Sequence, residues 1–171
     1  MRNERRITPL MREGRFTETV AMAISGFRPR LQIFGVPVHA MLVSFPIACF
    51  TGALLTDVAY VQSEGQVQWA NFSQWLLAFG ELTGALAAVF GLIDLFGNRP
   101  SQRPRSAWLH MGGGAIVLTL GLFNNLIHAR DGWTGVVPAG LALSAITVAV
   151  LFVTAFLGHR LAYVHQRGDG A

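Results

Sequence analysis

Four stretches of this chain are almost uninterruptedly apolar: Ala40 to Val61, Trp75 to Phe96, Ala107 to Ile127, and Val136 to Gly158. Each has about the 20 residues a helix needs to cross a hydrocarbon core of roughly 30 Å. Inside lipid, a backbone must satisfy its own N–H and C=O groups, so a helix is the conformation available to such a run. Charged types make up 13% of the sequence and hydrophobic types 52%, whereas soluble domains carry about a quarter charged residues. The expected fold is therefore all-α, an integral membrane four-helix bundle. A soluble protein of buried helices would need far more polar surface. Cys49, the single cysteine, falls inside the first stretch and reads as a small apolar residue.

Arginine placement sets the expected topology. All 13 basic residues are arginine, and seven of them (Arg2, Arg5, Arg6, Arg12, Arg15, Arg28 and Arg30) precede the first span. Arg99, Arg103 and Arg105 cluster between spans two and three, and Arg160 and Arg167 follow span four. The other two loops hold only Arg130, beside Asp131. The positive-inside bias then puts both termini and the middle loop in the cytoplasm of a bacterial inner membrane, with the three middle-loop arginines facing lipid headgroups or other anions. Trp69, Trp75 and Trp133 fall at the outer interface, and Trp108 and Tyr163 at the inner one. Residues 1–35 read as an arginine-rich interfacial segment, in which Phe16, Val20, Ile24 and Phe27 recur at helical spacing. They hold no continuous apolar core, so no cleavable leader is expected. The membrane domain covers 36–163, and 164–171 is a tail. No nucleic-acid-binding module accompanies the basic residues.

Ionisable groups inside a bilayer are costly, and each needs a reason. His39, Asp94 and His110 stand at span ends near the inner rim, Asp57 and His128 near the outer rim, and Glu81 in the middle. His110 and His128 lie five whole turns apart, on one face, about 27 Å along the axis. His39 and Asp57 repeat that spacing, with Pro46 between them to bend the helix near Leu42. Two imidazoles from neighbouring helices are suited to axial ligation of a b-type haem, and with Asp94 they are suited to a divalent metal. As interfacial groups they would instead order the helix ends. Asp57 and His128 read as solvated helix-end groups, and His159 and His165 as part of the tail. Glu81 is expected to be protonated or bonded to a partner such as Thr83 or Asn124, because a lone buried charge is prohibitive. Gly80, Gly84, Ala87 and Gly91 form a small-residue ridge on span two, and Gly112 to Gly114 with Gly121 offer another on span three. No internal repeat is legible, and no nucleotide-binding motif. Nor is there a nucleophile–base set: Ser44 is turned about 140° from His39 around the helix.

"VPVHAMLVSFPIACFTGALLTDVAY", "GALAAVFGLIDLF" and "WLHMGGGAIVLTLGLF" resemble the bacterial multi-pass membrane family called domain of unknown function 2231, over about residues 35 to 160. The matching positions are His39, Phe45, Pro46, Asp57, Gly91, Asp94 and His110. Ser44 stands where the family pattern has a second histidine, and Ala40 where it has proline. The resemblance implies a four-helix membrane bundle similar to b-type cytochromes, with no established activity.

Three functions are consistent with these residues. The chain is an accessory or scaffold subunit of a membrane complex, associating with other subunits or with itself through its glycine-lined helices. Alternatively it is a small electron-transfer protein holding one haem through His39 and His110. Or it conducts protons or a small solute by way of Glu81.

Overall fold

The computed structural model describes residues 29–130 and 135–166. The amphipathic segment expected over Phe16 to Phe27 lies outside those residues, as do Trp133, Asp131, Arg167 and the side chains of Tyr163 and His165. Four helices are long and apolar enough to cross a membrane: Val38–Gln62, Val67–Gly97, Arg105–His128 and Val136–Leu161. They confirm the four expected spans and extend each of them. The second starts at Val67, well before Trp75, because "VQWANFSQ" is polar enough to read as a loop yet contains no glycine or proline to stop a helix.

The first span is broken where Pro46 predicts. Its helix runs Val38–Leu42, turns at Val43, and resumes over Ser44–Gln62. Proline has no N–H to give the preceding turn, so the hydrogen-bond ladder is interrupted there while Val43 keeps helical φ and ψ. Pro46 itself is buried. Ahead of this span, two-residue strands at Gln32–Ile33 and Val36–Pro37 pair as a tight antiparallel ribbon. Phe34 and Gly35 make the turn, both at positive φ. Asp94 Oδ1, at the end of the second span, accepts hydrogen bonds from the backbone N–H of Arg30 (2.7 Å) and of Leu31 (3.3 Å). That carboxyl fastens the ribbon to the bundle.

The first span packs against the second and the fourth, and the third packs against the same two. The first and third are therefore diagonal partners. Glycines set the close approaches. A Cβ on Gly80 would lie 3.1 Å from the Phe50 ring, and one on Gly84 would lie 2.8 Å from Leu118 Cδ2. The small-residue ridge of the second span is thus occupied within the chain. By contrast, nothing lies within 4 Å of where a Cβ of Gly112 or Gly114 would be.

The bundle is apolar outside and polar inside. Leu55, Trp75, Leu82, Val153 and Phe156 are all more than 60% exposed, while Asp57, Ser73, Asn124, Ser144 and Thr147 are at most 1% exposed. Lipid solvates the first set as well as a protein core would, so the polar groups and small residues are the ones driven inward. The apolar core is small, built on Phe50, Ala53, Leu77, Val117 and Leu151.

Asp57 ties all four spans together. Its Oδ1 accepts from Ser73 Oγ on the second span (2.5 Å) and lies 2.9 Å from His128 Nε2 on the third. Its Oδ2 accepts from Ser144 Oγ on the fourth (2.5 Å). This corrects the reading of Asp57 and His128 as solvated helix-end groups: they are 0% and 7% exposed. Depth along the sequence placed them near an interface, but rotation about the helix axis turns both inward, where only each other and the two serines can satisfy them.

Two consequences are measurable by unfolding in detergent. Gly84→Leu overfills the contact with Leu118 and Pro46 and lowers stability by about 1–3 kcal/mol. Asp57→Ala strands His128 and both serines and costs about 3–5 kcal/mol, whereas adding His128→Leu to Asp57→Leu recovers part of that loss. An Asp57→Ala protein as stable as wild type contradicts the clamp.

Candidate functional site

The pairing of His39 and His110 begins with where each ring sits. His39 leaves the short helix ahead of the Pro46 break and reaches the second span, where its Nδ1 is 2.8 Å from the Ala87 carbonyl oxygen. The ring lies over Gly91, whose Cβ position would be 3.0 Å from Nδ1. His110 does the same on the other half of the bundle. Its Nδ1 is 2.9 Å from the Thr154 carbonyl oxygen of the fourth span, and its ring lies over Gly158, where a Cβ would come 2.7 Å from Cε1. In both cases the glycine sits one turn beyond the accepting carbonyl, so the absence of a side chain is what admits the imidazole.

A carbonyl oxygen only accepts, so each Nδ1 carries the proton and each Nε2 keeps its lone pair. Among the described residues neither Nε2 has a hydrogen-bond partner. The two ring centroids are 5.8 Å apart and the ring planes are nearly perpendicular, at 86°. Two imidazoles on opposite sides of one metal, with bonds of about 2.0–2.1 Å, have their centroids roughly 6 Å apart. His39 and His110 are therefore the residues that could hold a single ion or a haem iron between them. Gly114, one turn further along His110's face, adds open space beside the pair.

Asp94 does not join them. Its carboxyl is turned to the Arg30 and Leu31 amides, and among the described residues no group of three His, Cys, Asp or Glu side chains could hold a metal. The three middle-loop arginines divide likewise. Arg103 Nε and Nη2 donate to the Asn98 carbonyl (3.1 and 2.8 Å), and Nη2 also donates to that of Phe96 (3.1 Å). The guanidinium lies 5.3 Å from the Phe96 ring centroid. Arg103 therefore closes the C-terminal end of the second span, while Arg99 and Arg105 are exposed at the same end.

At the far end, His128 Nδ1 is 3.0 Å from the Asn124 carbonyl and Nε2 faces Asp57, so both ring nitrogens meet oxygens. One proton is shared between Asp57 Oδ1 and His128 Nε2. Serine, histidine and aspartate meet here, yet both hydroxyls donate to the carboxylate and neither meets the imidazole. No base faces a nucleophile, so the cluster is not a hydrolytic triad.

Of the two expectations for Glu81, a proton or a partner such as Thr83 or Asn124, the partner is not met. Thr83 Oγ1 donates to the Phe79 carbonyl (2.7 Å) and Asn124 Nδ2 to Ser144 Oγ (2.8 Å), so neither expected partner is hydrogen-bonded to Glu81. Glu81 Oε2 is buried without any partner among the described residues.

The two histidine seats are spaced alike along the sequence. The step from His39 to His110 equals the step from Asp57 to His128, and the steps from Ala87 to Thr154 and from Gly91 to Gly158 equal each other. His39 with Ala87 and Gly91 on the first two spans is thus matched by His110 with Thr154 and Gly158 on the last two. His39 meets His110, and Asp57 meets His128. Sequence periodicity identified the shared face of His110 and His128. Helix rotation relative to neighbours was needed to find Ser73, Ser144 and the two glycine seats.

Neither a curated protein nor a solved structure matches the chain. Residues 35–170 match the family described as "Predicted membrane protein (DUF2231)". That match takes in Asp94, both histidine seats and the Asp57 clamp, and the chain belongs to this family of predicted membrane proteins.

Proposed function

We propose that the protein is a small electron-transfer protein of the bacterial inner membrane, holding one b-type haem iron between His39 Nε2 and His110 Nε2, with both termini cytoplasmic. The observation that carries this is the matched seating of the two imidazoles: each Nδ1 is spent on a backbone carbonyl, and the ring centroids are 5.8 Å apart. Pinning Nδ1 in this way orients a ligating histidine and raises its basicity. Gly91 and Gly158 keep the seats clear, and Ala87 and Thr154 fix the tautomers. When bound, the iron supplies one-electron transfer.

The accessory-subunit reading draws its support from glycine-lined helices. Gly80, Gly84 and Gly91 are taken up against Phe50, Leu118 and His39, which leaves Gly112, with nothing within 4 Å of its Cβ position, as the open small residue for a partner or a second copy. The histidine geometry favours the redox reading over it.

Absorption spectra of the protein purified from native membranes, oxidised and then reduced with dithionite, test the proposal. The expected result is a Soret band that shifts on reduction, at about one haem per chain, and is lost in both His39→Ala and His110→Ala. Gly91→Leu removes no donor, yet it should lower haem content at least tenfold by displacing His39 from its seat. A colourless, metal-free preparation overturns the reading. Orientation is tested with a thiol placed at Arg99 and an impermeant reagent: labelling in intact cells contradicts a cytoplasmic middle loop.

A further inference from the structure

Four described side chains bury an oxygen that has no hydrogen-bond partner among the described residues: Thr51 Oγ1, Glu81 Oε2, Asn124 Oδ1 and Thr147 Oγ1. One comes from each span. Their depths are close. Glu81 Oε2 lies 2.7 Å, and the Phe50 ring 2.9 Å, from the position a Cβ of Gly121 would take. Thr51 follows Phe50 and so stands at the same level. Asn124 is three residues beyond Gly121, about 4.5 Å by axial rise. Asn124 bonds Ser144 at 2.8 Å, and the fourth span runs back from Ser144, so Thr147 returns to the level of Gly121 by the same rise. The unsatisfied oxygens therefore fall within about one helical turn of each other in depth, near the middle of the bundle.

Hydrogen-bond direction fixes what these oxygens can accept. Whichever of Asp57 and His128 holds the proton between Oδ1 and Nε2, Asp57 Oδ2 remains an acceptor, and Ser144 gives it its only proton. Ser144 Oγ can then only accept from Asn124, which turns Nδ2 toward the clamp and leaves Oδ1 on the opposite side. Asn124 is 0% and Thr147 1% exposed. The result is an amide carbonyl, a carboxyl oxygen and hydroxyl oxygens at similar depth, with no N–H group among them. The Thr51 and Thr147 hydroxyls, which can donate, reach neither the carboxyl nor the amide oxygen, so a positive partner is what would satisfy both acceptors, and hard oxygen ligands suit a hard cation.

We propose that Glu81 Oε2, Asn124 Oδ1 and Thr147 Oγ1, with Thr51 Oγ1 at the same depth, form a mid-bilayer site for one small monovalent cation, a proton or a sodium ion, held against the Glu81 carboxyl. A proton on Glu81 makes that carboxyl a donor to Asn124 Oδ1 and satisfies both atoms at once. A sodium ion satisfies them by direct ligation. The site is independent of the histidine pair and needs no haem.

Infrared difference spectra of the full chain in liposomes distinguish the two cations. If the guest is a proton, the wild type shows a protonated-carboxyl C=O band that is absent in Glu81→Gln. That band moves in Asn124→Leu or Thr147→Val and ignores exchange of Na+ for K+. If it is sodium, a carboxylate band shifts when Na+ replaces K+ and is absent in Glu81→Gln, and Thr147→Val raises its half-saturation at least tenfold. Circular dichroism confirms that each variant retains its helices. A Glu81 carboxylate indifferent to both pH and Na+ overturns the site, and so does a Glu81 band that neither Asn124→Leu nor Thr147→Val alters. Haem content plays no part in these spectra, so failure here leaves the electron-transfer reading untouched.

Discussion

A carboxyl group inside a bilayer must be satisfied by the protein itself, and Asp57 is satisfied by one side chain from each of the other three spans. No comparable force acts between apolar faces, because lipid tails solvate leucine as well as another helix does. Asp57 therefore fixes the rotation of each span about its own axis as well as its neighbours. Once Ser73, His128 and Ser144 are turned inward, helical period determines which residues lie deeper along the same faces. His128 turned inward carries Gly121, Gly114 and His110 inward with it. Positioning of the histidine pair at the opposite end is thus a consequence of the clamp.

The first and third spans face each other diagonally, and their polar groups meet in pairs. At one end the pair is two histidines, each with Nδ1 spent on a backbone carbonyl. At the other it is an aspartate and a histidine, which satisfy each other directly at 2.9 Å. The first pair leaves nitrogen lone pairs open and the second is closed, and the chemical difference is a single residue type.

Much of the architecture was legible in the sequence because a bilayer imposes length: four runs of the right size, a proline break near Leu42, and arginines confined to loops and ends. Matching depth and periodicity also brought His39 and His110 to one level. What stayed hidden depended on rotation. Asp57 and His128 read as solvated because depth alone does not tell a bundle-facing position from a lipid-facing one. Ser73 and Ser144 look like ordinary small residues until the carboxylate is placed. The likeness of the two histidine seats is hidden because the step from the second span to the fourth is one helical turn shorter than that from the first to the third.

The departure from the family pattern at Ser44 acquires a different weight in three dimensions. A histidine at that position would seem to be a missing ligand. Ser44 is exposed, however, and its hydroxyl donates to the Met41 carbonyl at 3.1 Å, on the side of the helix away from the bundle axis. It lies just past the turn at Val43, where Pro46 interrupts the helical hydrogen bonds. A side chain there projects outward while His39 projects onto Gly91. The serine therefore belongs to the surface of the first span, and the His39–His110 contact is made without it.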